Sequence, residues 1–183
     1  MSHSPIYMVT VRPGREEKCL MDLRDAIFPL DREVRVERTE ISGVLLIKST
    51  LNFRSLVGLL VNKPIRHLMR VIKLEEVTNI GCYEDLLRKI RTKLPRDKNT
   101  AIEIELRGKS KSISSRLKLC IKEYFKDIRI CGMKNADIVL LIEGIGSLLG
   151  YSIYSKDEYR LTRISSIYDE IIKRVLSKSG NLD

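Results

Sequence analysis

The chain has 183 residues, 43% hydrophobic and 32% charged, with 34 Lys/Arg against 24 Asp/Glu and a formal net charge of +10. That allows one domain or two small ones around a packed core, and it does not read as a disordered chain. The longest apolar runs, such as Ile138-Val139-Leu140-Leu141-Ile142, are far too short to span a bilayer, and no basic-then-apolar leader opens the chain, so no membrane association and a cytoplasmic location are expected.

Tyr7, Val9 and Val11 alternate with Met8 and Thr10, the period of a half-buried strand. Pro13-Gly14 breaks it. A helix is expected next, with Leu20, Leu23 and Ile27 on one face, Glu16-Glu17 in its first turn, and Pro29 as its stop. Val34 and Val36 alternate with Arg35 and Glu37 as a second strand, and Ser42-Gly43 marks a turn. The continuous run Val44-Leu45-Leu46-Ile47 suits a central strand covered on both faces. Phe53, Leu56, Val57 and Leu60 form one face of a short helix ending near Pro64. From about His67 to Val77 the pattern is again strand-like. The order β-α-β-β-α-β predicts a ferredoxin-like arrangement, two helices on one face of a four-stranded antiparallel sheet. Many functions share that fold, so it selects none.

Gly81 marks the expected boundary, giving an N-terminal domain over 1–79 and a second over 80–183 with a C-terminal helix. Leu86, Leu87, Ile90 and Leu94 make a helical stripe ended by Pro95. Ile102, Ile104 and Leu106 alternate with Glu103, Glu105 and Arg107 as an amphipathic strand. A basic loop, Gly108-Lys109-Ser110-Lys111-Ser112, then runs into a helix with Ile113, Leu117, Cys120, Ile121, Tyr124 and Phe125 on its apolar face. Ile138–Ile142 predicts a second central strand, Gly144-Ile145-Gly146 a turn, and 148–154 a returning strand. A last helix carries Ile164, Ile167, Tyr168, Ile171, Ile172, Val175 and Leu176. The fold class is therefore α/β of the α+β kind.

Several chemistries are missing. The two histidines, His3 and His67, make no Ser-His-Asp or Cys-His set. The four cysteines, Cys19, Cys82, Cys120 and Cys131, lack the C-x-x-C spacing of a zinc or redox site and read as small buried hydrophobes. Gly108-Lys109-Ser110 is like the end of a P-loop, but Glu103 stands where the first glycine is needed. Gly144-x-Gly146 joins two strands instead of opening a helix, so it is no dinucleotide fingerprint. The pairs Glu75-Glu76 and Asp157-Glu158 read as solvated surface. No catalytic residues, metal, cofactor or small-molecule substrate are expected.

Charge is unevenly placed. Residues 1–50 sum to zero, residues 51–134 carry twenty Lys/Arg against nine acids, and residues 135–183 sum to −1. A concentrated basic surface attracts polyanions, because neutralised phosphates release counterions. The densest stretch, 107–134, has nine Lys/Arg and two acids, Glu123 and Asp127. Arg107, Lys109 and Lys111 supply charge in the loop. Ser112, Ser114 and Ser115 supply hydroxyls and potential N-caps at a helix start that favours anions. Arg116, Lys118 and Lys122, with Lys126, continue along the helix, and Lys134 and Asn135 follow. Arg54 to Lys73 adds five Lys/Arg and no acid. Aromatic residues are 5% and none is Trp, which argues for recognition of RNA shape and backbone over base stacking.

The pieces Ile102-Glu103-Ile104-Glu105-Leu106-Arg107-Gly108-Lys109, Ser114-Ser115, Lys134-Asn135-Ala136-Asp137-Ile138-Val139-Leu140 and Gly150-Tyr151-Ser152-Ile153 stand in an order that resembles the THUMP domain. The first 80 or so residues resemble the ferredoxin-like domain that often precedes it. The resemblance implies binding of tRNA at the acceptor stem and 3′ end; the RNA-contacting set expected from the charge pattern is Arg107, Lys109, Lys111, Ser112, Ser114, Ser115, Arg116, Lys118, Lys122, Lys134 and Asn135. Arg12-Pro13-Gly14-Arg15-Glu16 and Glu40-Ile41-Ser42-Gly43-Val44-Leu45 are further similar to the free-standing THUMP adaptors that partner the tRNA cytidine acetyltransferase. That likeness implies an RNA cytidine acetyltransferase as partner and N4-acetylcytidine as product. An RNA-binding subunit of a tRNA methyltransferase or thiolation complex, and a structural ribonucleoprotein component, are the alternatives.

Overall fold

The computed structural model describes residues 5–179. In chain order the first elements are β1 (Ile6–Val11), α1 (Glu16–Ile27), β2 (Arg35–Arg38), β3 (Val44–Lys48), α2 (Phe53–Asn62), β4 (Leu68–Leu74) and β5 (Glu76–Asn79). They are followed by α3 (Tyr83–Lys93), β6 (Asn99–Arg107), α4 (Ser114–Tyr124), β7 (Arg129–Ile130), β8 (Ile138–Ile145), β9 (Leu148–Ser155), α5 (Lys156–Leu161) and α6 (Ile164–Ser179). Two compact units result: Met1–Lys73 with Arg160–Asp183, and Leu74–Tyr159. This division differs from the linear split expected at 79/80, because α6 belongs with the N-terminal unit. The strand-like stretch from His67 to Val77 is in fact two strands. β4 completes one sheet and β5 starts the other. The mid-chain charge is divided accordingly: the N-terminal unit holds 18 Lys/Arg and 11 Asp/Glu, the second 16 and 13.

The N-terminal sheet has the order β2-β3-β1-β4, with β3 antiparallel to both its neighbours and Tyr7 opposite Ile47. This is the ferredoxin-like arrangement. α1 buries the expected Leu23 and Ile27 together with Glu16, Cys19 and Ala26, and the expected Leu20 is half-buried. Glu16 extends the buried face to the start of the helix. Its carboxylate accepts from the Gly43 amide at 2.7 Å and the Ser42 hydroxyl at 3.0 Å, joining α1 to the β2–β3 turn. Hydrogen bonds from the Glu16, Gly43 and Gly14 amides hold its pKa down to about 2. Gly43 itself has φ +75, and a Cβ there would meet the Val11 carbonyl oxygen at 2.9 Å. α2 buries the expected Phe53, Leu56, Val57 and Leu60 and is capped by Asn52, which accepts from the Ser55 amide at 2.9 Å. α6 packs on α2, and the Tyr168 hydroxyl donates to the Leu60 carbonyl at 2.5 Å. Its apolar stripe is buried at Ile164 and exposed at Ile171 and Ile172. Val175 and Leu176 lie outside the described side chains.

The second sheet has the order β5-β9-β8-β6-β7, with β6 parallel to β7 and β8, and β9 antiparallel to β8 and β5. Leu86, Leu87 and Ile90 of α3, Leu117 and Ile121 of α4, and Leu140 and Ile142 of β8 form one buried cluster. Ile102, Ile104 and Leu106 pack against it from β6. The alternate face of β6 is not the solvated one its sequence suggests: Glu103 and Glu105 are half-buried. Glu103 accepts from the Tyr159 hydroxyl of α5, a helix the sequence pattern did not reveal. Gly144 lies inside β8 and not in the turn. A Cβ there would come within 2.3 Å of the Ser110 hydroxyl oxygen, so the glycine gives room for the segment that leaves β6. The whole unit is an α/β sheet with helices α3 and α4 side by side, and the chain as a whole is α+β.

Candidate nucleic-acid interface

The segment expected to be a basic loop is a 3-10 turn over Gly108–Ile113 that passes directly into α4. Gly108, at φ +66, bends the chain out of β6. Ser110 is buried against Gly144 and donates to the Arg107 carbonyl at 2.8 Å. This anchor leaves Lys109 and Lys111 pointing outward, and both are exposed. Arg116, Lys118 and Lys122 continue the exposed set along α4, with Lys126 just beyond its end. On an α-helix, residues four apart lie roughly 6 Å apart along the axis, so Lys118 and Lys122 form a row, and Lys126 follows in the turn after the helix.

The row is distinctive because its charges are uncommitted. α3 is as basic, yet Arg88 pairs with Asp85, Lys89 with Glu76, Arg91 with Asp127 and Lys93 with Glu75. Among the described residues, Lys109, Lys111, Arg116, Lys118, Lys122 and Lys126 have no carboxylate within ion-pair distance. Uncommitted cations in a row attract a phosphate backbone without first having to break an internal pair. Leu119, 66% exposed, sits beside Lys118 on the same outer side. The sequence reading passed over it, although a leucine out of phase with Leu117 and Ile121 is a readable sign of an outward apolar contact.

Other expected members behave differently. Arg107 turns inward, and its side chain is 23% exposed. It bonds Glu143 at 2.5 Å and also Glu105, the residue paired with Glu143 in the β6–β8 register. Glu143 is fully buried. Burial works to lower the Arg107 pKa, and the two carboxylates outweigh it, holding the pKa above its ordinary value. The expected serine caps do not form. Ile113 occupies the N-cap position, and α4 has no side-chain cap hydrogen bond. Ser112 donates to the Lys109 carbonyl at 2.9 Å, and the Ser114 amide donates to the Lys111 carbonyl. The preceding turn thus uses part of the helix-start donor set that an anion would otherwise meet. Ser115 is exposed and Ser114 half-buried.

Lys134 and Asn135 are exposed in a 3-10 turn just before β8. Because β6 and β8 run parallel, that turn lies at the strand starts and the Lys109–Lys111 turn at the strand ends. The two groups are therefore separated by the sheet's length, roughly 25 Å for eight residues. α4 spans this interval, returning from the end of β6 to β7, which pairs with Asn99 and Thr100. Asp137 accepts from the Asn99 amide at 3.0 Å, tying the two strand starts together.

Among the described residues no cluster of His, Cys, Asp and Glu could hold a metal ion, and no helix is long and apolar enough to cross a membrane. Cys19 is buried and Cys120 and Cys131 half-buried, whereas Cys82 is exposed, against the expectation of four buried thiols.

The two sheets define an α+β chain with a ferredoxin-like unit followed by a five-stranded α/β unit. Among solved structures, it is similar to PH1313 from Pyrococcus horikoshii Ot3, with a TM-score of 0.57 and 15% identity over 82% of this chain and 54% of that one. It is also similar to TrmN from Thermus thermophilus, with a TM-score of 0.53 and 14% identity over 81% of this chain and 45% of that one. At such identities the likeness is one of fold, and this chain spans about half the length of either structure. No family model matches the sequence, and no curated protein does.

Proposed function

We propose that the chain is a non-catalytic tRNA-binding adaptor that presents the acceptor stem and 3′ end of tRNA to a modifying enzyme. The observation that carries this reading is the row of uncommitted cations from Lys109 to Lys126, beside an equally basic helix whose charges are internally paired. The THUMP-like sequence pattern supports tRNA as the polyanion. The sequence likeness to the free-standing adaptors supports the RNA cytidine acetyltransferase as partner and N4-acetylcytidine as product. Within this reading Arg107 is a residue that shapes the unit, and the exposed lysines are the contacts.

The test is binding to purified tRNA, intact and with the 3′ CCA removed, at one fixed salt concentration. The expected result is a loss of about tenfold on removal, roughly 1.4 kcal/mol. Equal binding would leave a general polyanion grip and remove the acceptor-end reading. The partner is tested by adding the chain to the purified acetyltransferase with tRNA. Faster acetylation supports the assignment, and stimulation of a methyltransferase or thiolation enzyme instead moves the adaptor to that complex.

A further inference from the structure

The N-terminal unit carries a groove of about 730 Å³ where the end of α2, the start of β4 and the first turns of α6 meet. Val61, Ile65, Leu68 and Tyr168 line it. Met69, Ile171 and Ile172 belong to the same wall and are 46%, 42% and 55% exposed. Aliphatic side chains gathered and exposed on one patch mark an interaction surface more often than scattered ones do.

The rim is cationic. Arg12 and Arg66 line it beside His67, and among the described residues Asp169 is the one acid that does. Arg15 and Lys18 are close enough that, with burial acting first and Arg66 and Arg12 beside them, they help lower the pKa of His67. Among the described residues none of Arg12, Arg15, Lys18 and Arg66 has an ion-pair partner. His67 holds φ +74, a left-handed conformation that His, like Asn and Asp, adopts more readily than other non-glycine residues, and the Arg12 amide donates to its carbonyl at 3.0 Å. That bond ties the two arginine-bearing loops together, so the rim is a fixed feature.

The lining says what fits. A nucleobase calls for an aromatic face and polar edges. Here the exposed wall of Met69, Ile171 and Ile172 is aliphatic, and Tyr168, an aromatic in the lining, has its hydroxyl spent on Leu60. A second copy of the chain would bring the same cations against the same rim. A helix with aliphatic side chains at i, i+3, i+4 and i+7 and acidic flanks satisfies both floor and rim. We propose that this groove docks an acid-flanked amphipathic helix of the enzyme that the adaptor serves. The proposal rests on the adaptor reading above and adds a second surface, in the N-terminal unit, to the RNA-facing one of α4.

The probe is a fluorescein-labelled amphipathic peptide of about 18 residues, five helical turns, with leucines on one face and glutamates on its flanks. A lysine-flanked version serves as the comparison. Binding is read by fluorescence anisotropy with the full chain. The expected result is about tenfold tighter binding of the acidic peptide, lost in Ile172→Glu and reversed in preference by Arg12→Glu with Arg66→Glu. These positions are exposed, and circular dichroism checks that the variants fold. Ile172→Glu is expected to bind tRNA as the parent chain does. Equal binding of the two peptides, or binding unchanged by Ile172→Glu, overturns the proposal. A concentration-dependent dimer abolished by Ile172→Glu would make the occupant a second copy and overturn it too. Weaker tRNA binding by Ile172→Glu would make the groove an RNA seat, with the same consequence. Failure of the adaptor reading shows separately, as absence of tRNA binding by the parent chain.

Discussion

α3 and α4 lie side by side on one sheet face, share one apolar cluster and carry similar numbers of Lys and Arg, yet their charges have different fates. On α3, each of Arg88, Lys89, Arg91 and Lys93 faces a carboxylate. On α4 and the turn before it, the cations have no described carboxylate within ion-pair distance. Composition counts both helices alike, and a polyanion does not. A paired cation must give up its partner before it neutralises a phosphate, whereas an unpaired one has only water and counterions to lose. Arg107 extends the contrast: it lies two residues before Lys109 in the chain and belongs to the paired class.

The largest expected effect tests that assignment. Arg107→Ala leaves the fully buried Glu143 beside Glu105 without its guanidinium and should cost about 3 kcal/mol of stability, read by urea unfolding. Under native conditions the folded variant should bind tRNA within about twofold of the parent chain, roughly 0.4 kcal/mol. A stable Arg107→Ala protein with lost tRNA affinity would move Arg107 into the unpaired class. Gly144→Ala comes next, at roughly 1–3 kcal/mol for overpacking against Ser110. Ser110→Gly in the same chain should recover much of that loss, and a loss unaffected by it would mean that the turn before α4 is not seated there.

A smaller effect is expected in acid. Glu16 has a folded-state pKa of about 2 against an ordinary 4.5. A depressed carboxylate pKa contributes stability that is complete above the unfolded value and is lost as pH falls toward the folded one. The N-terminal unit should therefore weaken between about pH 4.5 and 2, and Glu16→Gln should flatten that limb of the stability profile. An unchanged profile would remove the Glu16 clamp from the account. Smallest of all is Arg88→Ala with Lys89→Ala, whose exposed pairs should matter little to tRNA binding, with a change under about twofold.

Much of this was readable from the sequence where one period dominates. The α2 face of Phe53, Leu56, Val57 and Leu60 and the central strands β3 and β8 stand where the pattern put them. Reading failed where a polar side chain does the work of an apolar one. Glu16 is an inward residue of α1 because backbone amides satisfy it, and no hydrophobic period can show that. Glu103 and Glu105 imitate a solvated strand face, although their partners Tyr159 and Arg107 enclose them. Gly144 suggests a turn, but its reason is Ser110, 34 positions earlier in the chain. Of the candidate site, the lysines were legible as charge. That Arg107 is spoken for, and that Lys134 and Asn135 stand at the opposite end of the strands, follow from long-range register alone.

The most direct measurement compares tRNA binding by Lys109→Ala, Lys111→Ala, Lys118→Ala and Lys122→Ala combined with binding by the Arg88→Ala, Lys89→Ala pair, across a range of salt. The account predicts that the four-lysine variant stays folded, loses tenfold or more in affinity, about 1.4 kcal/mol or above, and flattens the salt dependence by roughly 0.7–0.9 per lost phosphate contact, while the α3 variant changes neither. Equal losses from both variants, or an unchanged salt slope after the four lysines are removed, would contradict it.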